Sequence, residues 1–91
     1  KTFTATLTNQ WTGSGPYTQS VSISGILASD MPHVTPNYRS ASSDTDEIVR
    51  TKIDQWASIS YAESFDGGIK FVCMDDPSFD YNLEIKIEVI R

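Results

Sequence analysis

The closing stretch "LEIKIEVIR" constrains the fold more than any other part of this chain. Leu83, Ile85, Ile87 and Val89 alternate strictly with Glu84, Lys86 and Glu88. Alternation at period two puts the apolar side chains on one face of an extended strand and the charges on the other. A strand wetted on one face only must cover the other, so the chain has to build a β-rich core. The pattern recurs at the opposite end, where Phe3, Ala5 and Leu7 are spaced by Thr2, Thr4, Thr6 and Thr8. It appears again in Val21 and Ile23, set among Ser20, Ser22 and Ser24 and closed by Gly25.

Between these strands lies "WTGSGPYTQ", with Gly13 and Gly15 two residues apart. A phosphate-cradling loop needs a strand before it, a helix N-terminus after it and a nearby cation. Here an alternating strand follows, and the nearest lysines are Lys1 and Lys52. The stretch reads as a corner between strands, with Trp11 and Tyr17 expected to pack across it.

Residues 27–43 contain Pro32 and Pro36 and the run "SASS". Proline cannot donate to a ladder, so the segment predicts an irregular crossing with at most a short edge strand from His33 to Tyr38. A helix follows, over about 45–58. Asp44 is the expected N-cap, Glu47 completes a capping box, and Asp46 adds charge at the positive dipole end. Val49, Ile53, Trp56 and Ala57 form its expected apolar stripe. Alternation then resumes through Ile59, Tyr61 and Phe65, breaks at "DGG" (66–68) and resumes at Ile69, Phe71 and Cys73, which predicts a hairpin. "MDDPSFD" turns the chain into the last strand.

With one helix among the strands, no repeated βαβ unit is available, and the sheet should be mostly antiparallel. The expected architecture is α+β: a four- to five-stranded sheet or small sandwich, with the Val49/Ile53/Trp56 stripe of the helix covering it. At 91 residues the chain makes a single domain, 1–91. A chain of this size buries roughly 60–65% of its extended surface and holds one modest core. It opens in strand pattern without an initiator Met, which suggests a piece of a longer protein.

The net charge of −5 disfavours nucleic acid and anionic membrane surfaces as partners, since both are bound through Lys and Arg. No apolar run approaches the roughly 20 residues of a spanning helix. A single cysteine, Cys73, rules out an internal disulfide and a thiolate metal cluster.

Catalytic patterns are sparse. The only histidine, His33, has no neighbouring Cys or Asp to orient it. Cys73 falls on the apolar parity of its hairpin and reads as a small buried hydrophobe. Asp75, Asp76 and Asp80 could offer oxygens to calcium, but their spacing matches no EF-hand loop, and acids are common at turns. They are weak metal candidates, and no cofactor is expected. Trp11, Tyr17, Tyr38, Phe79 and Tyr81 sit in or beside loops, where aromatics serve recognition or close the ends of a small core. Trp11, Tyr17 and Tyr38 are the candidate ligand-binding residues.

Taken together, "WTGSGPYTQSVSISGI", "IDQWASIS", "DGGIKFVCMDDPSFD" and "LEIKIEVIR" resemble a C-terminal module of virion structural proteins in phages and prophages of Gram-positive bacteria. These are tail-fibre, head-fibre or baseplate-type proteins. The matching positions are Trp11, Gly13, Pro16, Tyr17, Thr18, Gly25, Asp30, Pro32, Trp56, Ile59, Ser60, Asp66, Gly67, Ile69, Cys73, Pro77, Asp80 and Arg91. The resemblance implies a virion location and a non-enzymatic adhesive or structural tip, commonly assembled around a threefold axis. Its partners would be further copies, other virion proteins and a cell-surface polysaccharide. It carries no catalytic residues to transfer. The alternatives are a decoration module without ligand, and a fragment of a wall-degrading enzyme that uses Asp75, Asp76 or Asp80.

Overall fold

The computed structural model describes residues 1–90. Six strands and one helix follow in the order β1 (Thr2–Leu7), β2 (Tyr17–Ser22), β3 (His33–Asn37), α1 (Asp46–Ala57), β4 (Tyr61–Phe65), β5 (Gly68–Cys73) and β6 (Leu83–Glu88). They form two three-stranded antiparallel sheets, ordered β1-β6-β3 and β2-β5-β4. Where a four- to five-stranded sheet or small sandwich is expected, six strands form two sheets. Both sheets contribute to a single core that includes Leu7, Ile69, Phe71, Leu83, Ile85 and Ile87.

The most regular strand takes the centre of the first sheet. Leu83, Ile85 and Ile87 of β6 are completely buried, while Lys86 and Glu88 face water. Its flanks are the Thr-rich β1 and the proline-containing β3, as an edge position requires of Pro36. In the second sheet β5 is central and buried on both faces, with Val72 as inaccessible as Phe71. Gly68 is buried where the ring of its cross-strand partner Phe65 lies over it.

β4 corrects one expectation. Tyr61 and Phe65 share the parity read as inward, yet they are exposed, and Ala62 and Ser64 take the positions opposite Phe71 and Ile69. The same alternation fits either face, and β5 decides which one is covered.

The helix lies where expected but is rotated and capped differently. Lys52 and Gln55, with Trp56 beside them, turn inward, and Ile53 of the expected stripe is 45% exposed. Gln55 accounts for the rotation. Its Oε1 accepts from the backbone N–H of Asp80 at 2.9 Å and of Tyr81 at 3.0 Å, and its Nε2 donates to the carbonyl of Tyr81 at 2.8 Å. Trp56 meets Phe71 edge to face at 6.4 Å, so α1 is anchored both to the second sheet and to the loop that enters β6. The N-cap is Thr45, whose hydroxyl accepts from Ile48 N–H at 3.2 Å. Asp44 is engaged elsewhere: its carboxylate takes the Lys52 ammonium at 3.0 Å and the Ala41 N–H at 3.1 Å. With the cap at Thr45, Glu47 no longer stands in the capping-box position.

The hydrogen bond and charge of Lys52, together with the Ala41 N–H, hold the Asp44 carboxyl below its ordinary value of 3.8. A depressed folded value means the unfolded chain binds the proton more tightly, so acid weakens the fold. The contribution is complete above about pH 4 and disappears as pH falls through the lower folded value. Urea midpoints measured from pH 7 to pH 2 should therefore drop more steeply for the parent than for Asp44→Asn. That variant should already be weakened at pH 7. Parallel curves would show that the pair contributes nothing.

Candidate functional site

Each sheet has two edges, and only one edge of each is drawn against the other sheet. β1 of the first sheet runs beside β2 of the second, and one side chain joins them. Gln19 is buried, and its amide copies a peptide unit. Oε1 accepts from Thr8 N–H at 2.8 Å, and Nε2 donates to the Thr8 carbonyl at 2.8 Å. The seam is thereby closed with main-chain-like bonds where no ladder is formed. Gln19 shares parity with Tyr17, Val21 and Ile23, a pattern that could have marked it as inward.

Just beyond the seam the chain makes the expected corner. Thr12 and Thr18 exchange backbone bonds of 2.9 and 2.8 Å, and their hydroxyls approach to 3.2 Å. Gly13 turns at φ +97°, and a Cβ there would lie 2.5 Å from the Pro16 carbonyl oxygen. No helix follows this loop: β2 begins at Tyr17.

The outward hydroxyls of β1, the corner and β2 line one groove of about 550 Å³, with Thr6, Thr12, Thr18, Ser20 and Ser22 on its walls and the Gln19 amide beside them. Its lining includes no ionisable side chain. Such a surface offers donors and acceptors at several points and nothing to attract a charged ligand. It suits an uncharged polyhydroxylated one.

The three candidate aromatics do not meet there. Trp11 is half-buried and packs edge to face on Phe79 at 5.3 Å, so its ring partner is Phe79 and not Tyr17. Its indole Nε1 is buried without a hydrogen-bond partner. Tyr38 packs against the core from the end of β3, and Tyr17 is half-buried opposite Cys73.

Asp75, Asp76 and Asp80 are exposed in the loop before β6, and the backbone N–H of Asp80 is held by Gln55. Among the described residues no group of three or more His, Cys, Asp or Glu side chains could hold a metal ion. His33 is exposed on β3, whereas Cys73 is fully buried on β5 in the other sheet. Burial pushes the Cys73 thiol up, against smaller opposing effects of the Ser58 hydroxyl and the Ser60 backbone.

The opposite side, between β3 and β4, is open. An apolar cleft of about 280 Å³ opens there, walled by Pro32, Val34, Trp56, Ile59 and Tyr61, with Phe71 also lining it. No helix among the described residues is long and apolar enough to cross a membrane. No protein-family model, curated protein or solved structure matches the chain.

Proposed function

We propose that this chain is a non-enzymatic module of a phage virion appendage, a small two-sheet sandwich that attaches to uncharged polysaccharide of the host surface through the β1/β2 groove. The observation that carries the reading is the groove itself: hydroxyls and an amide converge with no ionisable group among them. The resemblance to virion modules supports the setting. The separation of His33 from Cys73, one exposed and one sealed in the core, favours binding over nucleophilic catalysis.

A decoration role without ligand is the second reading. It is favoured by Trp11 and Tyr38, which pack against the core instead of presenting open faces. The groove decides between the two. Neutral wall-polysaccharide oligosaccharides titrated into labelled protein should shift the amides of Thr6, Thr18, Ser20 and Ser22. Weak affinity in the range of about 0.1–1 mM is expected of so open a site. Ser20→Arg, an exposed change that places a bulky cation in the groove, should lower affinity at least tenfold and leave the melting temperature unchanged. Absence of shifts at 10 mM oligosaccharide would favour decoration.

A further inference from the structure

We propose that the free edge of β4 is a docking site for an extended segment of a partner polypeptide, added antiparallel to β4 with a basic residue at its N-terminal end and an aromatic one at its C-terminal end. This is independent of any ligand in the β1/β2 groove.

The backbone register carries the argument. Ile23 N–H donates to the Gly67 carbonyl at 2.8 Å, continuing the β2–β5 ladder by one pair. Hydrogen-bonded pairs alternate along an antiparallel ladder, so Ile69, Phe71 and Cys73 face β2 and Gly68, Lys70 and Val72 face β4. Their partners on β4 are Phe65, Glu63 and Tyr61. The N–H and C=O groups of Ala62 and Ser64 therefore point away from β5, and among the described residues no other group bonds them. That is the hydrogen-bonding pattern a further strand completes. β4 also lacks the proline that blunts β3. The Ser64 hydroxyl donates to the Ala28 and Asp30 carbonyls at 3.2 and 2.8 Å, a side-chain tie that leaves the outward main-chain groups of β4 unused, unlike the Gln19 clasp at the edge of β2.

The space beside the edge fits such a segment. The apolar cleft at the Tyr61 end adjoins a second opening of about 590 Å³ along Ala28, Asp30, Met31 and Ser64, and Pro32 and Ala62 line both. One end offers the rings of Trp56, Tyr61 and Phe71 to a large apolar side chain. The other end carries Asp30, whose carboxylate accepts the Leu27 N–H at 2.9 Å, and Glu63, which stands 3.9 Å from Lys70. Two acids beside one lysine leave a negative balance that complements a further cation. An antiparallel strand running beside β4 starts at the Ser64 end, which sets the order of basic and aromatic residues.

The test uses labelled full chain and the peptide acetyl-Lys-Thr-Val-Thr-Val-Thr-Trp-amide. Two further peptides carry the same side chains but are N-methylated at alternate residues, one in each register. Downfield shifts of the Ala62 and Ser64 amides, with a dissociation constant of the order of 100 μM, are expected for the parent peptide. One methylated register should bind at least tenfold more weakly. Ala62→Arg, an exposed substitution that fills the cleft, should abolish binding without lowering the melting temperature. Equal binding by all three peptides would reduce the interaction to apolar contact and overturn the proposal. So would shifts confined to the Thr6–Ser22 groove, or none at 2 mM peptide.

Discussion

Gly68→Ala should cost the fold about 3 kcal/mol or more, the upper range for a single substitution. A Cβ at Gly68 would lie 2.3 Å from the Val21 carbonyl oxygen and 2.7 Å from the Phe65 ring. The ring can swing outward, but the carbonyl belongs to the β2–β5 ladder and moves only if the sheet parts. For a domain of this size the loss corresponds to a fall in melting temperature of roughly 12–25 °C. Thermal unfolding followed by circular dichroism measures it. A drop of less than about 3 °C would mean that β2 and β5 slide apart at little cost, contrary to a sealed central strand.

Gln55→Ala is the second large effect, and its character is local. Three bonds of roughly 1 kcal/mol each are lost, and the backbone groups of Asp80 and Tyr81 are left without their partner. The expected loss is about 2–4 kcal/mol, with amide exchange at Asp80 and Tyr81 accelerated far beyond that in β1 or β6. Gln55→Glu separates donor from acceptor. The carboxylate keeps both acceptor roles but faces the Tyr81 carbonyl, an unfavourable pairing that protonation relieves. Its deficit should therefore shrink as pH falls below about 5, since burial against a carbonyl raises a carboxyl's pKa. A deficit equal to that of the alanine variant at every pH would show that the geometry of the Gln55 clasp is not retained.

These two residues also mark where sequence reasoning succeeds and where it stops. β1 and β6 are legible because their apolar parity is unbroken and only one face can be inward. Helix α1 is legible as a helix and in extent, but its rotation is not. Val49 and Ile53 outweigh Lys52 and Gln55 on any hydrophobic count, and the partners that draw the polar pair inward lie outside the helix. Asp44 precedes Lys52 by 8 residues, and Tyr81 follows Gln55 by 26. β4 fails for a related reason: its period is correct, but its phase is set by β5.

The Thr and Ser faces of β1 and β2 are equally plain as polar faces. That they belong to different sheets, and meet edge to edge through Gln19, follows only from the pairing of β1 with β6 and of β2 with β5. The aromatic candidates answer to a competing demand that the sequence does not display. A core this small draws Trp11 onto Phe79 and Tyr38 against the same cluster, leaving both rings partly buried.

The pairing of β1 with β6 has a mechanical consequence. The amino group of Lys1 donates to the Val89 carbonyl at 2.7 Å, and Val89 N–H returns to the Lys1 carbonyl at 2.8 Å. Leu7 and Leu83 close the far end of the same ladder. Tension applied through Lys1 and Val89 would load that ladder one rung at a time, as a zipper is opened, and never in shear. A tether at these two residues holds the module by one end of the sheet, with the Thr8–Pro16 corner and the loop entering β6 at the other. The module would hang as a pendant whose β1–β6 ladder opens from the anchored end.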